Sequence, residues 1–263
     1  ALTKEGAAYI VTTEAMYRVE PGADDKLQIV WSVPYDTIGK VRSGQLELGS
    51  GTTPTILGEG KYVAITDNAD PYMQVVVYRT DEPLDPNEER VVCEVPVFDF
   101  PGGGAGAQSN SLVGFRNSII VQNTYGYLFD FPDIHTEPQD LTAELVQAGA
   151  PGLERIDINP DGKGCTKVWV NKEVASVNTP KLSTKTGLIY VQDRKWDAEN
   201  NVNAYCLVAL DFRMGEVVWE KGVITSPPPP PTSARHLSIN RSSHSYPCAA
   251  GCSPATHPAL PDR

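Results

Sequence analysis

Oxygen-bearing side chains recur at the same place in a repeated strand-like segment, and their chemistry is that of a calcium site. The recurring residues are Thr13, Asp67, Asn123 and Asp193, and Asn68 directly follows one of them. Ca²⁺ takes roughly six to eight oxygen ligands, chiefly from carboxylates, amides and carbonyls. We therefore expect Asp67, Asn123 and Asp193 to hold Ca²⁺, and Asn68 to join them in binding a ligand. The competing interpretation is that these residues cap strand ends and form turns.

Histidine-based chemistry has little support in the sequence. His236, His244 and His257 lie in a proline-rich C-terminal segment, which leaves His135 in the rest of the chain. A site with several histidine ligands cannot be assembled from one histidine. His135 itself lies in an acidic stretch and is predicted to be an exposed loop residue.

The elements that would position the oxygen ligands are short strands in a degenerate repeat. Each copy combines a short strand, a polar turn and a strongly β-prone strand. The copies cover residues 5–13, 53–67, 110–123 and 179–193. Their central residues, Val11, Ala64, Val121 and Val191, are 53, 57 and 70 residues apart. Such spacings predict units of four strands joined by long loops.

The second half of each unit is a hairpin that ends near a large apolar residue. Residues 207–219 form an apolar strand, a tight turn at Met214-Gly215 and a returning strand that ends in Trp219. Trp31 and Trp169 take the position of Trp219 in two other units, and Val91-Val92 take it in the remaining unit. We predict that these tryptophans pack as wedges between neighbouring units.

Three cysteines precede the proline-rich segment, so this part of the chain can form at most one internal disulfide. They are Cys93, Cys165 and Cys206. Cys93 and Cys165 both precede the outer strands of successive units, and we predict that they pair. The alternative is that all three are small buried hydrophobic residues.

The repeat predicts an all-β fold, namely a β-propeller with about four four-stranded blades over residues 1–225. Propellers usually have roughly four to eight blades, so we expect the chain to be part of a larger ring. Residues 226–263 contain five consecutive prolines at 227–231. Because proline cannot donate to a strand ladder, we predict that this tail is disordered.

Several segments resemble quinoprotein alcohol dehydrogenase-like propellers, which carry repeats of the PQQ type. They are Trp31-Ser-Val-Pro-Tyr-Asp36, Gly49-Ser-Gly-Thr-Thr-Pro-Thr55, Ile65-Thr-Asp-Asn-Ala-Asp70, Asn123-Thr-Tyr-Gly-Tyr127 and Ala209-Leu-Asp-Phe-Arg213. The resemblance covers roughly residues 1–225 and implies a propeller fold and export, to the periplasm or outside the cell. It supplies no catalytic residue, and the vicinal cysteine pair of quinone-dependent dehydrogenases is absent from the sequence.

Charge narrows the range of partners. The chain has 33 acidic and 22 basic residues, for a net charge of −11, whereas nucleic acids and anionic membranes attract basic surfaces. We therefore expect neither nucleic acid nor a membrane as a partner.

The leading hypothesis is a propeller that binds a small molecule or a protein without the quinone catalytic set. The first alternative is a calcium-dependent lactonase- or esterase-like hydrolase, in which the metal polarises a carbonyl. The second is a PQQ-dependent dehydrogenase.

Overall fold

The computed structural model describes residues 1–4, 6–23, 26–127, 149–200 and 202–226. Over these residues the fold is all-β, as predicted. His135 and the predicted disordered tail, apart from Ser226, lie outside the described residues. The described part of the chain contains no helix long and apolar enough to cross a membrane.

The strands form four antiparallel sheets that follow one another along the chain. Sheet 1 consists of β1 (Ala8–Val11), β2 (Ala15–Pro21) and β3 (Leu27–Pro34). Sheet 2 consists of β4 (Thr55–Leu57), β5 (Tyr62–Thr66), β6 (Gln74–Arg79) and β7 (Val91–Pro96). Sheet 3 consists of β8 (Val113–Phe115), β9 (Ser118–Gln122), β10 (Leu153–Ile158) and β11 (Cys165–Asn171). Sheet 4 consists of β12 (Lys181–Ser183), β13 (Leu188–Asp197), β14 (Val202–Asp211) and β15 (Val217–Ser226).

Each sheet is a meander, because its strands pair in chain order. Sheets 2, 3 and 4 have four strands, whereas sheet 1 has three. In sheet 1 an isolated antiparallel bridge joins Leu2 to Ala8, at the place where the other sheets have their first strand. A single 3₁₀ turn, Gly58–Gly60, separates β4 from β5.

Hydrophobic cores lie between successive sheets. Tyr9 and Met16 of sheet 1 pack with Ile65 and Tyr78 of sheet 2. The core between sheets 2 and 3 includes Val75, Val77, Ile119 and Ile156. The core between sheets 3 and 4 includes Ile120, Leu153, Ile189 and Val208. Neighbouring residues of β9, Ile119 and Ile120, thus enter different cores, because successive side chains of a strand point to opposite faces.

This arrangement explains why the second strands of sheets 2 and 3 are buried along their whole length and apolar in their middle. Every residue of β5 and of β9 is buried, since sheets lie on both of its faces. The outer strand β7 is partly exposed and reads Val-Val-Cys-Glu-Val-Pro. Four meandering sheets packed side by side in chain order make the chain a β-propeller with four blades in its described part.

A β-bulge recurs in every sheet where its last two strands pair. The residue pairs directly before the bulge are Arg18 with Trp31, Val77 with Cys93, Arg155 with Trp169 and Ala209 with Trp219. The three tryptophans are therefore equivalent, as predicted. The expectation for the remaining sheet was wrong: the pair directly before the bulge there is Val77 with Cys93, so Cys93 stands in the tryptophan position and Val91-Val92 do not.

The tryptophan positions connect each blade to the next. The Trp31 ring stacks on Tyr78 of sheet 2 with centroids 6.2 Å apart. The Trp169 indole nitrogen donates to the carbonyl oxygen of Phe212 in sheet 4 at 2.9 Å. At the same position between sheets 2 and 3, Cys93 forms a disulfide with Cys165, with Cα atoms 5.9 Å apart. A covalent link thus takes the place of an aromatic wedge.

Candidate functional site

The residues expected to bind calcium occupy equivalent positions, at the end of the blades where β5 and β9 finish. Asp67 and Asn123 directly follow β5 and β9, and Asp193 lies within β13. All three side chains are buried, with at most 2% exposed. Counted from the bulge, Thr12 rather than Thr13 is the corresponding residue of sheet 1. The one-residue difference arises because strand pairing, which the sequence does not display, sets the alignment.

Asp67 closes the turn between β5 and β6. Its Oδ1 accepts hydrogen bonds from the backbone N–H groups of Ala69 at 3.2 Å and Gln74 at 2.6 Å. Its Oδ2 accepts a hydrogen bond from the Gln74 side chain at 3.2 Å. Burial raises the pKa of Asp67 to about 7, although the hydrogen bonds from Gln74 and Ala69 favour the charged form. The carboxyl group is therefore a buried structural cap that titrates near neutrality.

Asn123 performs the equivalent role in sheet 3. Its Oδ1 accepts hydrogen bonds from the backbone N–H groups of Tyr125 at 3.0 Å and Ala107 at 3.3 Å. Its amide nitrogen donates to the carbonyl oxygens of Gly103 at 2.8 Å and Pro151 at 3.2 Å. One side chain thereby ties the strand end to two neighbouring loops.

Asp193 combines a backbone hydrogen bond with an ion pair. Its Oδ1 accepts from the backbone N–H of Ala175 at 2.9 Å, and its Oδ2 lies 3.3 Å from the Lys195 ammonium. Lys195 also reaches Glu220 at 3.1 Å. Burial raises the pKa of Asp193, and the Lys195 charge opposes that shift.

These contacts favour the interpretation that the three residues cap strand ends and turns, since each has an oxygen that accepts a hydrogen bond from a backbone N–H. Within the ranges that the structure describes, no group of three or more His, Cys, Asp or Glu side chains is arranged to hold a metal. Calcium binding by Asp67, Asn123 and Asp193 stays a prediction. The ion would have to share or replace the hydrogen bonds that the Oδ1 atoms accept from the backbone.

A long loop before sheet 2, residues 35–54, covers this end of the blades, and we call it the strap loop. On sheet 1, the Tyr35 hydroxyl donates to the backbone oxygen of Thr12. On sheet 2, the Asn68 amide nitrogen donates to the carbonyl oxygens of Lys40 and Leu48, both at 2.8 Å. Asn68, predicted as a ligand-binding residue, is therefore fully covered by the strap loop.

The strap loop also reaches sheet 3. The Thr124 hydroxyl donates to the carbonyl oxygen of Gly44 at 2.7 Å, and the Gly126 N–H donates to that of Ser43 at 3.2 Å. Gly44 has a φ of +93°, and a Cβ there would lie 1.9 Å from the backbone carbonyl oxygen of Thr124. Only glycine permits this approach. The strap loop therefore joins three successive blades.

A buried arginine anchors the strap loop. Arg42 is 3% exposed, and its guanidinium donates to the carbonyl oxygens of Ala105 at 2.8 Å and of Ala69. Burial lowers the pKa of Arg42, and the nearby carboxyl groups of Asp67 and Asp70 oppose this shift. Its donors are directed at backbone oxygens, so this charge serves the loop rather than a ligand.

Four buried side chains in the strap loop and at the ends of β5 and β9 carry unpaired polar atoms, and we call them the polar mouth: Gln45 in the strap loop, Thr66 and Asn68 at the end of β5, and Gln122 at the end of β9. All four side chains are 0% exposed. Among the described residues, both amide atoms of Gln45 and Gln122, the Thr66 hydroxyl and the Asn68 Oδ1 find no hydrogen-bond partner. Buried polar groups are normally paired, and an unpaired one costs about 1–3 kcal/mol. The polar mouth therefore has hydrogen-bonding capacity that the protein itself does not use.

Sequence reasoning missed Gln45 and Arg42 because the strap loop is not part of the repeat. The available signal was its length: 20 residues separate β3 from β4. Long loops that are held by a rigid scaffold often carry function. Its four glycines, at positions 39, 44, 49 and 51, fit a loop that runs close to other backbone.

Two surface clefts lie apart from the polar mouth. One, of about 410 Å³, lies between β8 and β12 and includes Ser111, Phe115 and Lys181 in its wall. The other, of about 540 Å³, lies between the end of β11 and the β14–β15 turn. Neither is lined by a residue of the polar mouth.

No protein-family model matches the chain. It is 28% identical over 229 residues to an uncharacterised protein of Archaeoglobus fulgidus. That alignment covers 83% of this chain and 44% of the relative, so the chain spans less than half the length of this relative.

Solved structures of other propellers are similar at low identity. A candidate 6-phosphogluconolactonase of Bacteroides uniformis has 10% identity and a TM-score of 0.44, over 85% of this chain and 56% of its own. A europium-containing methanol dehydrogenase has 10% identity and a TM-score of 0.42, over 85% of this chain and 50% of its own. These likenesses assign no activity to this chain, and the propeller class rests on its own four sheets.

Proposed function

We propose that this protein is a binding propeller that takes a small polar ligand at the polar mouth. The observation that carries the proposal is the set of unpaired polar atoms: both side-chain amide atoms of Gln45 and of Gln122, the Thr66 hydroxyl and the Asn68 Oδ1. Amides donate and accept hydrogen bonds, as hydroxyls do. The chemistry therefore suits an uncharged ligand that carries hydroxyl, carbonyl or amide groups.

The strap loop would control access to this site, since it contains Gln45 and its Lys40 and Leu48 carbonyl oxygens accept hydrogen bonds from Asn68. Binding would require the strap loop to lift, and the ligand would then connect the loop to the ends of β5 and β9. We expect slow association and strong stabilisation of the folded state by the ligand.

The test is a screen for thermal stabilisation with polyols, sugars, amino acids and small carboxamides. A ligand present at a hundred times its Kd should stabilise the fold by about 2.7 kcal/mol. The Gln122→Leu variant should lose this stabilisation. Gln192, which is the equivalent and exposed residue of sheet 4, supplies the control: Gln192→Leu should retain it. Equal responses of the two variants would contradict the proposal.

The calcium-dependent hydrolase is the weaker candidate, because Asp67, Asn123 and Asp193 already accept backbone hydrogen bonds. Melting curves in calcium chloride and in EDTA test it directly. A calcium-dependent rise in Tm that is lost in Asp193→Asn would favour this alternative over the small polar ligand. The PQQ-dependent dehydrogenase, and the expected lack of nucleic-acid and membrane partners, stay predictions.

We also infer that the protein works in an oxidising compartment. The Cys93–Cys165 disulfide supports this inference, since structural disulfides persist mainly in exported proteins. Free-thiol counting on protein isolated from its native source tests it: two alkylatable thiols at Cys93 and Cys165 would contradict export.

A further inference from the structure

The first strands of neighbouring sheets meet in two different ways. Between sheets 2 and 3, the Thr55 hydroxyl of β4 donates to the carbonyl oxygen of Leu112, directly before β8, at 3.3 Å. Gly114 of β8 faces the same strand, since a Cβ there would lie 3.0 Å from Thr55 Cγ2 and 3.4 Å from Leu57 Cβ. The strands β4 and β8 are therefore in direct contact.

Between sheets 3 and 4, the first strands β8 and β12 leave a cleft of about 410 Å³. Strand register explains the difference. Gly114 pairs with Ile119 and Leu182 pairs with Ile189, and counted from the bulge these two isoleucines are equivalent. Leucine thus stands in sheet 4 where glycine stands in sheet 3. Its side chain takes up space that glycine leaves free, so β12 lies further from β8 than β8 does from β4.

The floor of this cleft is apolar. Val113 and Phe115 of β8 and Leu182 of β12 line the cleft and pack against the core between sheets 3 and 4. The Phe115 ring meets the Phe212 ring edge to face, with centroids 5.7 Å apart. These side chains are therefore held in place by the core beneath them, and they offer a preformed apolar surface.

Two hydroxyl groups flank this floor in the sequence. Ser111 lies two residues before β8, Thr184 directly follows β12, and both line the cleft. Within the part of the chain that the structure describes, neither side-chain hydroxyl has a hydrogen-bond partner. Sites for small molecules combine mostly apolar walls with a few polar groups and have volumes of roughly 300–1,000 Å³. The cleft has this composition and this size.

The cleft presents no charged group to a ligand from its floor. Lys181 also borders it, but Lys181 neighbours Leu182 in β12. Because successive side chains of a strand point to opposite faces, the Lys181 side chain is directed to the other face of sheet 4. The chemistry of the cleft therefore suits an uncharged molecule.

We propose that the cleft between β8 and β12 binds a small uncharged molecule that carries an apolar ring and a hydroxyl group. The ring lies on Phe115 and Leu182, and the hydroxyl bonds to the hydroxyl groups of Ser111 and Thr184. A cavity of roughly 150 Å³ accommodates benzene, so 410 Å³ has room for one or two rings. This site is separate from the polar mouth, since no residue of the polar mouth lines the cleft.

Benzyl alcohol and toluene are the probes for the first test, because they share a ring and differ by the hydroxyl group. Each is titrated into the full chain labelled at its valine and leucine methyl groups, and NMR spectra are recorded. Both probes should shift the Val113 and Leu182 signals in a saturable way. Unchanged signals of these two residues with both probes would overturn the proposal.

Two matched variants show whether the probes occupy the cleft. Thr184 and Lys185 are neighbouring exposed residues, and Thr184 alone lines the cleft. The ring introduced by Thr184→Phe should fill the cleft and abolish the Leu182 shift with both probes. Lys185→Phe should bind both probes as the unchanged protein does. Equal binding by the two variants would place the probes elsewhere and contradict the proposal.

Removal of both hydroxyls, by Ser111→Ala with Thr184→Val, tests the polar contact. The affinity for benzyl alcohol should fall about two- to tenfold, as expected for one hydrogen bond, and that for toluene should stay the same. An equal fall for both probes would contradict the proposed hydrogen bond. Lys181→Gln should leave both affinities unchanged, and a loss of binding there would overturn the uncharged ligand. Circular dichroism checks that each variant is folded, and Ser111→Ala alone replaces a double variant that is not.

Discussion

The middle and the end of β5 are equally buried but chemically different. Val63, Ala64 and Ile65 are 0% exposed and enter apolar cores, whereas Thr66 and Asn68 are also 0% exposed and carry unpaired polar atoms. The side chains of the first group are apolar, so packing alone stabilises them. The second group bears a desolvation cost that packing does not offset. The comparison teaches that apolar packing is complete between the strand middles, whereas unpaired hydrogen-bonding groups collect at the strand ends, where we propose that recognition takes place.

The largest effect is expected in the cores, for Trp169→Ala. The Trp169 side chain is 9% exposed and packs on sheet 4, so its loss should lower the free energy of unfolding by about 3–5 kcal/mol. Urea denaturation followed by circular dichroism measures this. Val168→Ala, at a neighbouring residue that is 42% exposed, should change it by less than about 0.5 kcal/mol. Similar losses in both would refute the wedge role.

Removal of the Cys93–Cys165 disulfide, which stands where other blades have a tryptophan wedge, should have the next largest effect. The disulfide closes a loop with a sequence separation of 72 residues, and its loss should cost about 2–4 kcal/mol. Urea midpoints of Cys93→Ala, Cys165→Ala and the double variant measure this. Because either single variant removes the same bond, the double variant should lose no more than a single one. Additive losses would show that the cysteines stabilise the protein by packing instead.

At the strand end, Asp67 should make stability depend on pH. Its pKa is raised to about 7 in the folded protein, whereas an unfolded aspartate titrates near 4. The folded state therefore binds more protons between these values, and stability should fall as the pH rises from about 4 to 7. The loss should be on the order of 2 kcal/mol relative to Asp67→Asn, in melting curves over this range. Parallel curves for both proteins would contradict this origin.

The smallest and most discriminating effect concerns two buried glutamines. Gln45 has no partner for either amide atom among the described residues, whereas Gln108 donates to the Gln122 carbonyl oxygen at 2.9 Å and accepts from the Asn110 N–H at 3.0 Å. Gln45→Leu should therefore raise the free energy of unfolding by about 1 kcal/mol, and Gln108→Leu should lower it by about 1–2 kcal/mol. Chemical denaturation measures both. Equal losses would indicate that Gln45 is already paired.

Much of the fold could be predicted because strands are encoded locally. The hairpin over residues 207–219 is visible as two β-prone runs around Met214-Gly215, and the structure places β14, a turn and β15 there. Alignment by sequence nevertheless erred in register: it chose Thr13 over Thr12, Val91-Val92 over Cys93, and Val11, Val121 and Val191 over Tyr9, Ile120 and Tyr190 as the counterparts of Ala64. These offsets of one or two residues follow from strand pairing across the sheet, which leaves no mark in the sequence.

The amino-acid sequence by itself determined the strands, the turns and the equivalence of the blades, since alternation and β-propensity act over a few residues. Only the tertiary structure decided what Asp67, Asn68 and Asn123 do, and it brought the strap loop, which contains Gln45, onto Asn68 and Thr124. The physical reason is distance along the chain: Thr124 and Gly44, 80 residues apart, meet through one hydrogen bond. Whether a polar side chain is buried, paired or left with spare capacity depends on such contacts, and no local pattern specifies them.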